Sequence, residues 1–166
     1  MSEQEVNQAE KPEVDPEAEF KISSKDDTLL YKTSPEELDE CFYNIIALMA
    51  WTKTFSVGKK LKLTFSTISD STKMELLSVM KKWAEVNDAS SNMFDQQLNK
   101  TNLAYYLSYI EIDGNNINLK EKKMEERQEF LGTMTEAALQ LYGTYLYAFL
   151  EIIRKSLLSQ VNIKNS

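Results

Sequence analysis

The residues that could do chemistry are carboxylates and one thiol. The chain holds 26 Asp and Glu, a single cysteine, Cys41, and no histidine. Without histidine the usual general base at neutral pH is missing, and neither a Ser-His-Asp nor a Cys-His arrangement can be assembled. Structural zinc takes four Cys or His ligands in nearly every case, so Cys41 alone cannot make such a site. Four glycines are too few for a P-loop or a dinucleotide fingerprint. Carboxylates by themselves bind magnesium or cleave glycosides, but Asp26, Asp27, Asp39, Glu40, Asp113 and Glu125 keep no spacing that makes a motif. Asp113-Gly114-Asn115-Asn116 has the texture of a calcium loop, with its glycine at the wrong offset and no bidentate glutamate at the far end, so it reads as a turn. Cys41, set among Phe42, Ile45 and Ile46, reads as a small buried hydrophobe. The expectation is a protein that is not an enzyme, with no catalytic residues, no metal and no cofactor.

Charge narrows the partners. Of the net −7, all but one unit lies in residues 1–19, where Glu3, Glu5, Glu10, Glu13, Asp15, Glu17 and Glu19 face Lys11 alone. The remaining body is nearly neutral and has no basic excess with which to release counterions from a phosphate backbone, which argues against nucleic acid. Lys59, Lys60 and Lys62 read as solvated lysines at a strand edge. Residues 1–19 contain no aromatic residue, two valines and Pro12 and Pro16, too little apolar surface to offset the entropy of ordering, and are expected to be a disordered acidic tail. Met1 to Ala9 lack the basic and apolar regions of a secretory signal, so a cytoplasmic protein is expected. The most apolar stretch, Ala137 to Ile153, is interrupted by Gln140, Thr144 and Glu151 and is short for the roughly 20 residues of a membrane span, so it reads as a buried helix. Asn99-Lys100-Thr101 matches a glycosylation sequon by chance.

The elements follow from period and punctuation. Ser34-Pro35-Glu36-Glu37 predicts a helix start, and Leu38, Cys41, Phe42, Ile45, Ile46 and Met49 draw an apolar stripe assigned to the core. Leu61, Leu63 and Phe65 alternate with polar residues as in a strand, with Thr54 to Val57 as its hairpin partner. The Ser69 to Thr72 cluster opens a second helix with Leu76, Leu77, Met80, Trp83 and Ala84 inward. A third helix carries Phe94, Leu98, Tyr105, Tyr106, Leu107 and Ile110 and ends at Asp113-Gly114. A charged helix over Lys120 to Glu129 follows, and a capping box at Thr133 and Glu136 opens the longest and most central helix, with Leu139, Tyr142, Leu146, Phe149, Ile153 and Leu157 in one stripe. The predicted architecture is a mainly α, compact single domain over residues 20–166, of four to five helices with one small β-hairpin, behind the tail at 1–19. The ordered body is expected to begin between Phe20 and Leu29.

Trp51 and Phe55 lie between a helix and a strand, where periodicity does not demand burial, and large aromatics are favoured interface anchors. A single hairpin would also leave a strand edge for a partner to extend. Burial in the core is the default for Trp51 and Phe55, and the alternative makes Trp51, Phe55, Leu61, Leu63 and Phe65 the expected protein-binding residues.

The order of these segments resembles that of small tail-assembly proteins of tailed bacteriophages. The similarity runs from Gly58-Lys59-Lys60-Leu61-Lys62-Leu63-Thr64-Phe65 into Ser66-Thr67-Ile68-Ser69. It continues through Ile110-Glu111-Ile112-Asp113-Gly114, and from Glu126-Arg127 to the long helix. It implies a non-enzymatic, chaperone-like partner of structural phage subunits in the host cytoplasm, or a minor virion component, with no membrane association. The alternative is a small acidic inhibitor of a nucleic-acid-binding enzyme. Oligomeric state is left open.

Overall fold

A computed structural model describes residues 33–87 and 91–163, with side chains given for 33–87 and 92–160. The expected tail at 1–19 and the expected start of the body lie outside these residues. Ser34 caps the first helix as its sequence predicts: its hydroxyl accepts from the Glu37 amide at 3.2 Å and Pro35 occupies the first helical position. Nine elements follow one another: α1 (Pro35–Leu48), β1 (Thr52–Val57), β2 (Leu61–Ser66), α2 (Asp70–Val86), α3 (Ser91–Tyr106), β3 (Leu107–Ile112), β4 (Asn115–Asn118), α4 (Met124–Gly132) and α5 (Glu136–Ile163). The protein is mainly helical, and among the described residues its helices number five.

The sheet is larger than the expected hairpin. Four antiparallel strands stand in the order β1-β2-β3-β4, with α2 and α3 inserted between the second and third. Gly58, at φ 63°, closes the first hairpin. Asp113 and Gly114, at φ 51° and 83°, form the two-residue loop between paired Ile112 and Asn115. Two successive positive φ angles give the primed turn that matches strand twist. The third helix therefore stops at Tyr106, Leu107 and Ile110 belong to β3, and Asp113-Gly114 is a hairpin turn where a helix end was expected. A bulge between Thr64 and Phe65 adjusts the register of β2 against β3.

The long helix α5 lies across the inner face of this sheet. Phe149 stacks on Trp51 with ring centroids 5.1 Å apart and meets Phe65 at 5.8 Å and Tyr106 at 6.4 Å, while Tyr145 meets Phe55 at 5.5 Å. Tyr142, Leu146 and Phe149 are buried as expected, Ile153 is half-buried, and Leu157 is exposed. The helix starts later than its predicted box: Thr135 accepts from the Ala138 amide at 3.2 Å, whereas the Thr133 hydroxyl donates to the Phe130 carbonyl and closes α4. Gly143 lets α3 approach α5, since a β-carbon there would run into the Asn99 carboxamide. That carboxamide donates to the Leu139 carbonyl at 3.0 Å, so the sequon asparagine has a packing role.

Candidate functional site

The residues singled out for chemistry do not converge. Asp26 and Asp27 lie outside the described residues. Asp39 accepts from Gln160 at 3.1 Å, Asp113 pairs with Lys60 at 3.0 Å across two turns, and Glu125 sits in the first turn of α4. Glu40 lines a cleft of about 440 Å³ between the first turn of α1 and β1, with Glu36, Glu37 and Lys53. Lys53 pairs with Glu37, and the backbone amides at the helix start, followed by the Ser34 hydroxyl, hold the Glu36 carboxyl below its ordinary range. Among the described residues no three His, Cys, Asp or Glu side chains come together as a metal would require. Cys41 is fully buried, takes a 3.4 Å hydrogen bond from Ser156, and has its pKa pushed up by burial, the opposite of an activated thiolate. Lys62 is paired with Glu111 at 2.8 Å, and Lys60 with Asp113; both are exposed as expected, but Lys62 stands on β2, an inner strand between β1 and β3, and not at a strand edge.

The expected binding residues lie mostly in the core, which is the default reading of Trp51 and Phe55. Trp51 and Phe55 are 5% and 3% exposed, Leu63 and Phe65 are fully buried, and Leu61 is half-buried. The physical reason is the second layer: a hairpin alone would leave these rings open, but Phe149 and Tyr145 of α5 cover them. Their chemistry is spent in the core. Among the described residues β1 pairs with β2 alone.

Exposed apolar surface lies instead at the other end of the same connection. Of the α1 stripe assigned to the core, Cys41 is buried, Leu38, Phe42 and Ile45 are half-buried, and Ile46 and Met49 are exposed. Tyr43, Ile46, Leu48 and Met49 are 63%, 59%, 63% and 88% exposed, four large side chains within seven residues. No charged residue falls between Glu40 and Lys53. Single exposed hydrophobes need no explanation, but a charge-free cluster does. Met49 adds a backbone anomaly: it occupies the left-handed cap of α1 at φ 54°, ψ 22°, a position that glycine takes without strain and that costs another L-residue about 1–2 kcal/mol. The Ala50 amide, donating to the Asn44 carbonyl at 3.3 Å, locks that turn. A strained residue with its side chain in solvent is a signal that periodicity alone could not give.

The segments that carry the resemblance have plain structural work. Thr67 binds the Trp51 backbone twice, its hydroxyl accepting from the amide at 2.8 Å and its own amide donating to the carbonyl at 2.9 Å. Ser69 caps α2. Glu126 accepts from the Lys123 amide, and Arg127 donates to the carbonyls of Ala104, Lys120 and Lys122, clamping the start of α4 to the end of α3. No helix among the described residues is long and apolar enough to cross a membrane. Comparison of the chain with protein-family models, with curated proteins and with solved structures gives no match.

Proposed function

We propose that the protein acts by binding another protein through the apolar end of α1, without turnover of its own, and that the partner is a structural subunit of a phage tail or virion held during assembly. The observation that carries the binding surface is Met49, a strained, almost fully exposed methionine at the head of a charge-free apolar cluster. Strain persists where surrounding structure imposes it and often where function uses it, and methionine adapts to varied apolar partners. The phage assignment rests on the order of segments in the sequence.

The experiment is a titration of the purified chain against the tail and virion subunits encoded beside it. Wild type is expected to bind one of them, and an Ile46→Asp, Met49→Asp variant to bind it about 100-fold more weakly, the scale of losing two central anchors. Deleting residues 1–19 leaves that binding intact, whereas an inhibitor working through its acidic tail would lose it. Equal binding by wild type and the double variant, or no binding by either, overturns the proposal.

A further inference from the structure

We infer that α2 is a hinged cover over a second, smaller apolar core, able to lift while the sheet and α5 stay folded. Its grip on the described residues is slight for its 17 residues. Leu76 and Met80, one turn apart, are its buried side chains, and Trp83 adds a half-buried contact with Phe94 at 6.3 Å. Leu77 and Ala84, expected to face inward, are exposed. The two buried residues join Tyr105, with Ile68, Phe94, Leu98, Tyr106 and Met124 packed around them, in a cluster that meets the Trp51, Phe65 and Phe149 stack through the Tyr106 ring.

Among the described residues no side-chain hydrogen bond of ordinary geometry ties α2 to the rest of the fold. The side-chain bonds of α2 and its caps stay local: Ser69 with Ser71 and Thr72 at the start, Asn87 to the Trp83 carbonyl at the end, and Lys81 beside Glu85. Beneath α2, the Tyr105 hydroxyl is sealed from water without a hydrogen-bond partner among the described residues. Burial, then the charge of Glu75 and the approach of its carboxylate as a hydrogen-bond acceptor, push the Tyr105 pKa up, but that approach falls short of a hydrogen bond of ordinary geometry. A buried hydroxyl left unsatisfied destabilises the closed state, and lifting α2 rehydrates it. Stability is not uniform across a fold, and elements with few buried contacts open first. Lifting α2 uncovers an apolar groove floored by Tyr105, Phe94 and Leu98.

Hydrogen exchange on the full-length chain tests this. In wild type, amides of Leu76 to Trp83 are expected to exchange about 100-fold faster than those of Tyr142 to Ile152, as for a sub-global opening. Tyr105→Phe, which removes the unsatisfied hydroxyl and keeps the ring, slows α2 roughly tenfold and leaves α5 unchanged. Leu76→Ala speeds α2 by about 30-fold or more, again without moving α5. Exchange of α2 and α5 at one common rate in wild type, or a shift of both by the same factor in either variant, shows that α2 opens only with the whole fold. Acceleration of α2 by Tyr105→Phe shows that the hydroxyl holds the cover down. Either result overturns the inference.

Discussion

Helices α1 and α5 pack together and are both rich in apolar residues, yet α5 hides most of what it carries and α1 displays it. Contact with the sheet makes the difference. Helix α5 has the sheet beneath it and α1 and α3 beside it, so residues around most of its girth meet a neighbour. Helix α1 packs on α5 along one face, where Ser156 meets Cys41 and Gln160 meets Asp39, and its last two turns carry Tyr43, Ile46 and Leu48 into solvent. Hydrophobicity thus states what a residue would gain by burial, while topology decides whether burial is on offer.

The contrast predicts its largest effect at Phe149, which is fully buried between Trp51, Phe65 and Tyr106. Phe149→Ala is expected to cost about 3–5 kcal/mol in denaturant unfolding. A loss of under about 1 kcal/mol would mean that α5 is no more central than α1. Gly143→Ala comes next. Its new methyl forces Asn99 off the Leu139 carbonyl and should cost about 1–3 kcal/mol, with most of the loss recovered when Asn99 is also changed to Ala.

Alkaline pH sharpens the comparison from the buried side. Burial raises the pKa of Cys41 above its ordinary 9.0 and of Tyr106 and Tyr142 above 10.0. The unfolded chain therefore loses these protons first, so the stability they contribute is whole below pH 9.0 and is lost as pH rises through the raised values. The urea midpoint should fall from about pH 9 upward, and Tyr142→Phe should flatten that fall. A midpoint level to pH 11 would show these groups to be solvated. The smallest effect has the opposite sign. Met49→Gly relieves the left-handed strain and should raise stability by up to about 1 kcal/mol while weakening partner binding, which a purely structural methionine would not do.

The start of α1, the first hairpin and the core face of α5 were legible because each follows from local chemistry: a cap with proline, a two-residue alternation, a long stripe. The second half of the sheet was not. Tyr105, Tyr106, Leu107 and Ile110 fit a helical face as well as a strand, and α3 runs straight into β3, so no break marks the change. Asp113-Gly114 after the aliphatic Ile110 and Ile112 was the available sign of a hairpin. The burial of Trp51 and Phe55, the default reading of both, comes from α5, whose Phe149 and Tyr145 rings lie against them. The exposure of Ile46 and Met49 was invisible: a stripe at helical spacing does not say how wide a neighbour it will meet.

The central claim is that the apolar end of α1 is where a partner sits. It is tested most directly by placing a photo-crosslinking amino acid at position 49, and in a second preparation at the exposed polar position Lys81 on α2, and irradiating each in the native source. A single protein adduct is expected from position 49, a structural virion or tail subunit, and none of that protein from position 81. No adduct from position 49, or the same adducts from both positions, would contradict it.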